Sequence, residues 1–243
     1  MASARECPDG SEAVISVFTS SHNHGEFLAA AIESVIAQTF KDFEYLIYDD
    51  GSDDDTWSVI AHYAARDSRI RPFKLSKQPN VGVVVNRSVS DAKGSVWVWC
   101  PADDLLLPDL LRSKSELANL YPSAVIYSHG RLMDKDGKVC GKVASPPWTP
   151  NEFRKVIQDK CPIGLTGLWV PMSVFDRVGG FPEHLPYSED FYWMLKACRE
   201  GVDFRCVHQI LYCKRKHGNS LTGRHQKEIL ANISCIREEV RNG

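Results

Sequence analysis

Phe43-Glu44-Tyr45-Leu46-Ile47-Tyr48-Asp49-Asp50-Gly51-Ser52 is the stretch on which the reading of this chain turns. A short apolar run, bounded by a turn signal, reads as a buried strand. Here it ends in two carboxylates. Carboxylates at a strand C-terminus lie on the rim of an α/β sheet, where ligands bind. The arrangement recurs: Val96-Trp97-Val98-Trp99-Cys100 runs into Asp103-Asp104, and Glu189-Asp190 opens an amphipathic stretch further on. Three acidic clusters so placed predict a site for a divalent metal, a polyphosphate ligand and a general base.

Working outward, Val14 to Thr19 reads as a first strand, and the polar turn Ser20-Ser21-His22-Asn23-His24-Gly25 follows it. Phe27, Leu28, Ala31, Ile32, Val35 and Ile36 recur at helical spacing. Asp53-Asp54-Asp55-Thr56 is a helix start with acids in its first turn. Ile70 to Leu75 is a short strand. Asn80-Val81-Gly82 turns into a helix ending near Gly94, with a strand as the rival reading because Val83-Val84-Val85 is β-branched. Pro108 is placed as the first residue of a helix to about Tyr121, and Ala124 to Tyr127 as a strand. Asp136-Gly137 marks a hairpin turn, and Pro146 to Pro150 a loop. Gly167 to Val170 reads as a strand, Ser173 to Val178 as a helix ended by Gly179-Gly180, and Asp190 to Arg199 as a helix. Phe204 to Val207 and Gln209 to Cys213 are two final strands, and Arg224 to Val240 is a polar C-terminal helix. Strands alternating with helices predict an α/β sandwich.

A length of 243 residues suits one large α/β domain or two small ones. A net charge of −2 gives no footprint for nucleic acid. Eight cysteines without a CxxC pair argue against zinc and thioredoxin-like roles, and read as reduced thiols. Residues 1–12 form a polar tail without a signal-peptide core, and no apolar run is long enough to span a bilayer. The expected location is therefore the cytoplasm, with the inner face of the membrane open to peripheral association. The charged end Arg237-Glu238-Glu239-Val240-Arg241 leaves room for further domains.

These residues together resemble the family 2 inverting glycosyltransferases of the GT-A fold. The resemblance rests on Ser16 to Asn23, Ala37-Gln38-Thr39 and Asp49-Asp50-Gly51-Ser52. It continues through Asn80, Gly82 and Arg87, Ala102-Asp103-Asp104 with Pro108, Gly179-Gly180-Phe181, Glu189-Asp190, and His217 with Ser220. The order is kept over nearly the whole chain. Three positions depart from the family pattern: His22 replaces an aromatic, Ser88 replaces Asn, and Ala102 stands in a signature that more often reads Asp-Ala-Asp.

The resemblance implies a Rossmann-like three-layer α/β/α sandwich with a mixed central sheet. Residues 13–105 would form the nucleotide-sugar half, 106–223 the acceptor half, and 224–243 a C-terminal helix. It implies Mn²⁺ or Mg²⁺ held by Asp104 and His217. Thr19, Ser21, Asn23, Asp49, Asp50, Arg87, Asp103 and Arg224 would bind the nucleotide sugar. Lys214 to His217 would form a basic lid over the diphosphate. Asp190 would be the general base, on the sugar face opposite the leaving group, and Glu189 would orient the acceptor. Trp148 and Tyr187 are candidates for stacking on sugars, whereas Trp169 and Trp193 suit the core.

The implied reaction moves one sugar from a nucleotide-diphosphate sugar, with UDP- or dTDP-sugars favoured. The acceptor would be a glycan, a glycolipid or another hydroxyl in cell-surface polysaccharide synthesis. The alternatives are a non-catalytic nucleotide-sugar binding module and a sugar-nucleotide hydrolase. A nucleotidyltransferase is disfavoured because no Gly-rich phosphate loop follows the first strand, and a dinucleotide-binding protein because no GxGxxG does.

Overall fold

A computed structural model describes residues 15–143, 148–218 and 224–242. The polar tail and Ser220 lie outside the described residues. In chain order the elements are β1 (Ile15–Ser21), α1 (Gly25–Ile36), β2 (Phe43–Asp50), α2 (Thr56–Ala64), β3 (Ile70–Leu75) and α3 (Val81–Asp91). Then come β4 (Val96–Trp99), β5 (Leu105–Leu106), α4 (Leu110–Leu120), β6 (Val125–Met133), β7 (Val139–Val143) and α5 (Pro150–Val156). The last are β8 (Trp169–Pro171), α6 (Met172–Val178), α7 (Glu189–Arg199), β9 (Phe204–Arg215) and α8 (Gln226–Asn242).

The strands form one mixed sheet in the order β3-β2-β1-β4-β8-β6-β9-β5, with β7 paired to β6. β1, β2, β3 and β4 are parallel, and β8 runs antiparallel to both β4 and β6. From β1 the chain moves outward to β2 and β3, then returns to the other side of β1 as β4. The loops leaving β1 and β4 therefore meet at a topological switch point, where open α/β sheets bind ligands.

Two cores cover the two faces of the sheet. On one face Leu28, Ile32 and Val35 of α1 and Leu110 and Leu111 of α4 pack on Ile15, Val17, Ile47 and Val98. On the other, Val84 and Val85 of α3, Phe175 of α6 and Trp193 of α7 pack on Phe18, Leu46, Trp97 and Trp99. This is the three-layer arrangement. Phe18 stacks on Trp97 at 5.3 Å, and Phe175 meets Trp97 edge-on at 5.7 Å, geometries that add to area burial.

Local chemistry explains most boundaries. Asn80 caps α3 by accepting a hydrogen bond from Val83 N, so the valine run is helical, its Val84 and Val85 filling the core. Four expectations are corrected. α4 starts at Leu110, because Asp109 takes the cap position and the Pro108 carbonyl is held by Thr39 N at 2.8 Å. Pro150 begins a helix, α5, set by a capping box between Thr149 and Glu152. The strand after Ala124 extends to Met133. The two final strands are one, β9, whose pairing with β6 is irregular around His129.

Candidate functional site

The turn after β1 is lashed to the turn after β2. Asn23 sits at φ 56°, a left-handed conformation that Asn tolerates. Its Oδ1 accepts from Asp53 N at 2.8 Å, and its own N–H donates to Ser52 Oγ at 3.0 Å. Gly25 N donates to Asp54 Oδ2 at 3.0 Å. A Cβ on Gly25 would lie 1.8 Å from Asp55 Oδ1, so any larger residue would have to push that carboxylate aside. The lashing holds His24 above the sheet edge.

The turn after β4 is fixed differently. Asp104 is buried; its Oδ2 accepts from Thr166 Oγ1 at 2.5 Å and its Oδ1 from Arg215 N at 2.7 Å. Burial, and then the neighbouring Asp103 charge, push its carboxyl up from the usual range. Arg215 is itself spent within the fold. It donates to the carbonyls of Asp103 at 2.9 Å and Lys135 at 2.7 Å, and its guanidinium lies 4.8 Å from the Phe27 ring centre.

With Asp104 turned inward, Asp103 carries the outward carboxylate. Its Oδ2 is 2.9 Å from His217 Nε2. His24, Asp103 and His217 offer one donor atom each, all within 4.8 Å of one another. Burial lowers the His24 pKa against the opposing pull of Asp103, with help from the charges of His217, Arg224 and His22. His24 is thus held neutral, and its Nδ1 is a buried atom with no hydrogen-bond partner among the described residues. A neutral imidazole beside a carboxylate and a second imidazole is a donor set that fits a divalent cation.

Next to this cluster, Ser21 and Asp49 are register partners across β1 and β2. Ser21 Oγ and Asp49 Oδ2 are both buried and unpartnered among the described residues, while Asp49 Oδ1 accepts from Ser52 N at 3.0 Å. Arg224 is exposed, and its charge is felt at His24.

Glu189 and Asp190 open α7. Ser188 before them is held at φ 67°, strained for a residue with a side chain. Asp190 Oδ1 accepts from Phe191 N at 2.7 Å. Burial raises the pKa of both acids, Glu189 also through the Asp190 charge. The Lys214 ammonium favours the charged forms of both Asp104 and Asp190, so it is in electrostatic reach of both acidic clusters. The loop before this pair is docked on α3. Asn86 Nδ2 donates to Phe181 O at 2.9 Å and Glu183 Oε1 at 2.8 Å, its Oδ1 accepts from Phe181 N at 2.7 Å, and Asn80 Nδ2 donates to Glu183 O at 2.6 Å.

The structure corrects several sequence assignments. Among the described residues the cation-compatible cluster contains Asp103 and not Asp104, whose two oxygens each accept a hydrogen bond inside the fold. Thr19 does not line a pocket: it is fully buried, bonding Cys100 O at 2.6 Å and Tyr45 OH at 2.7 Å. Asp50 is taken by Lys77 Nζ at 2.5 Å and Gln78 N at 2.7 Å, and so pins the loop after β3. Gly51, at φ 70°, lets that loop approach. Arg87 pairs with Asp91 at 3.7 Å on α3 rather than joining the cluster. Arg215 is a buried staple, not part of a lid. Trp148 packs edge-on against Phe153, and Tyr187 stacks on His225 at 4.4 Å. His24 is the residue that sequence reasoning missed; its signal was its place in the turn after the first strand.

A family model described as Glycosyl transferase family 2 matches residues 16–181, more than half of the chain. The chain belongs to glycosyl transferase family 2. This domain is 32% identical over 191 residues to an uncharacterized glycosyltransferase of Rickettsia felis, covering 77% of the chain and 31% of the relative. The chain therefore spans about a third of that protein's length. It is 23% identical over 227 residues to the UDP-Glc:alpha-D-GlcNAc-diphosphoundecaprenol beta-1,3-glucosyltransferase WfaP of Escherichia coli, covering 92% and 86%. Among solved structures, S. aureus TarS 1–349 in complex with UDP-GlcNAc superposes with a TM-score of 0.71 at 18% identity, covering 92% of this chain and 66% of that one. The mannosyltransferase PcManGT of Pyrobaculum calidifontis, in complex with GDP-Man and Mn²⁺, gives 0.69 at 16%, covering 94% and 64%. These likenesses establish the GT-A fold for this glycosyl transferase family 2 domain.

Proposed function

We propose that this domain transfers one sugar, with inversion at the anomeric carbon, from a UDP- or dTDP-sugar to a hydroxyl of a glycan or glycolipid. The observation that carries the reading is the His24–Asp103–His217 cluster at the switch point of the sheet, with Lys214 in electrostatic reach both of Asp104, next to that cluster, and of Asp190. WfaP, a relative named for UDP-Glc and a lipid-linked acceptor, and the UDP-GlcNAc complex of TarS support the choice of donor.

His24, Asp103 and His217 would hold the cation. Two imidazoles and one carboxylate favour Mn²⁺ over the harder Mg²⁺, and the Mn²⁺ in the PcManGT complex supports this choice. When bound, the cation acts as a Lewis acid that neutralises the departing diphosphate. Asp49 Oδ2 and Ser21 Oγ, buried and unpartnered among the described residues, accept hydrogen bonds from, and donate them to, the base and ribose. Arg224, at the mouth of the site, adds positive charge toward the phosphates. Asp190 takes the proton from the acceptor hydroxyl as its oxygen attacks. The raised pKa makes Asp190 a stronger base than an exposed aspartate, which suits this task near neutral pH. Glu189 orients the acceptor. Lys214 favours the charged form of Asp190 against the larger effect of burial.

Asp190→Asn tests the assignment. Transfer should be abolished while the donor Kd, measured with Mn²⁺ by thermal melting against a panel of UDP-, dTDP-, GDP- and CMP-sugars, stays within a few-fold. Loss of donor binding in that variant would remove Asp190 from the role of base.

A further inference from the structure

His129, Cys206 and His208 lie apart from the site above, on β6 and β9. Cys206 and His208 are two residues apart on one strand, so they start on the same face of the sheet. Tyr127 and His129 share a face for the same reason, and Tyr127 is the register partner of Cys206. Regular pairing would continue with His208 opposite His129. Instead Ser128 pairs with Val207 and His129 pairs with Ile210, which frees His208 and Gln209 from the ladder. Such bulges re-aim side chains. The three donor atoms end within 4.8 Å of one another. The two imidazoles contact each other at 6.1 Å, and among the described residues neither makes a hydrogen bond or ion pair.

We infer that His129, Cys206 and His208 form a binding site for a borderline-soft divalent cation, Zn²⁺ foremost, with a fourth position open to water. One thiolate and two imidazoles are a Zn²⁺ donor set and a poor one for Mg²⁺ or Mn²⁺. In a tetrahedral Zn²⁺ site the donors stand roughly 3.3–3.6 Å apart, so a small contraction closes this one. His208 is exposed and off the ladder, and can supply that movement. Cys206 is half-buried, and burial pushes its thiol up to about 11 while Lys114 pulls the other way. The thiol is therefore inert alone, and it would release its proton to solvent on binding the cation. The ion would tie β6 to β9 across the irregularity. β9 continues into Lys214 and Arg215, so the same clamp would steady the strand that leads to His217. The site is distinct in composition and place from the His24–Asp103–His217 cluster.

Co²⁺ in place of Zn²⁺ makes the test spectroscopic. The purified chain should bind Co²⁺ with a thiolate-to-cobalt charge-transfer band that Zn²⁺ abolishes by displacement. The band should vanish in Cys206→Ser and fall in His208→Ala, yet persist in Asp103→Ala. Zn²⁺ should raise the Tm of the wild type and not of His208→Ala, a variant at an exposed position that leaves the packing intact. No band at stoichiometric Co²⁺, or a band and a Zn²⁺-induced Tm shift that survive both Cys206→Ser and His208→Ala, would overturn the inference.

Discussion

Raising the pH from 7 to 9.5 should stabilise this domain through one buried lysine. Lys114 on α4 is fully buried, and its Nζ donates to Gly167 O at 2.5 Å and to Ile126 O at 3.3 Å. It ties α4 to β6 and to the segment carrying Thr166, which holds Asp104. Both hydrogen-bond partners are neutral carbonyls, so desolvation outweighs the opposing pull of the Cys206 thiol, and the pKa falls from 10.5 to about 7. The unfolded chain keeps the proton up to 10.5, whereas the folded chain releases it near 7. The unfolded state thus binds more protons between those values, and stability rises with pH across that window. Below pH 7 the penalty is complete, with a ceiling of about 5 kcal/mol at 1.36 kcal/mol per pH unit. From pH 7 to 9.5 the recovery is about 3 kcal/mol by the same linkage. Lys114→Met keeps the shape and removes the charge; its loss of two hydrogen bonds does not depend on pH. Urea unfolding followed by the fluorescence of the six tryptophans gives the difference, wild type minus Lys114→Met, at each pH. Titrations of groups that do not feel Lys114 cancel in that difference; that of Cys206, which does, is removed by comparing the pair in a Cys206→Ser background. A flat difference would show that Lys114 stays charged without penalty. A falling one would mean that an anion pairs with it.

Two further outcomes separate roles that adjacent residues share. Asp104→Ala strips the partners from Arg215 N and Thr166 Oγ1 inside the fold and should cost about 2–4 kcal/mol, read as a lower Tm. Asp103→Ala should leave Tm near the wild type and remove Mn²⁺-dependent donor binding; the reverse pattern would return Asp104 to the cation. Asn86→Ala breaks three hydrogen bonds that dock the loop before Glu189–Asp190. At about 1 kcal/mol per bond it should lower kcat roughly tenfold or more, with donor Kd unchanged. Equal loss of donor affinity would place Asn86 at the nucleotide instead.

What the sequence disclosed and what it hid follow from the range of the forces involved. The strand ends at Asp49, Asp103 and the helix start at Glu189 were legible because hydrophobic period and turn chemistry act over a few residues. α5 carried an equally local signal, the Thr149–Glu152 capping box, which was there to be read. The choice between Asp103 and Asp104 was not local. Two identical side chains stand side by side, and the one that turns inward is selected by Thr166 and Arg215, 62 and 111 positions later. Thr19 and Asp50 misled for the same reason, since a polar residue near a strand end serves a ligand or a neighbouring strand according to what the fold brings to it. A CxxC spacing would likewise not signal the zinc site inferred above. Spacing along one chain detects ligands only when they share a turn, and His129 and Cys206 are neighbours because two strands pair out of step. In this domain the motifs mark where chemistry can occur, and long-range hydrogen bonds decide which atom of each motif is left to perform it.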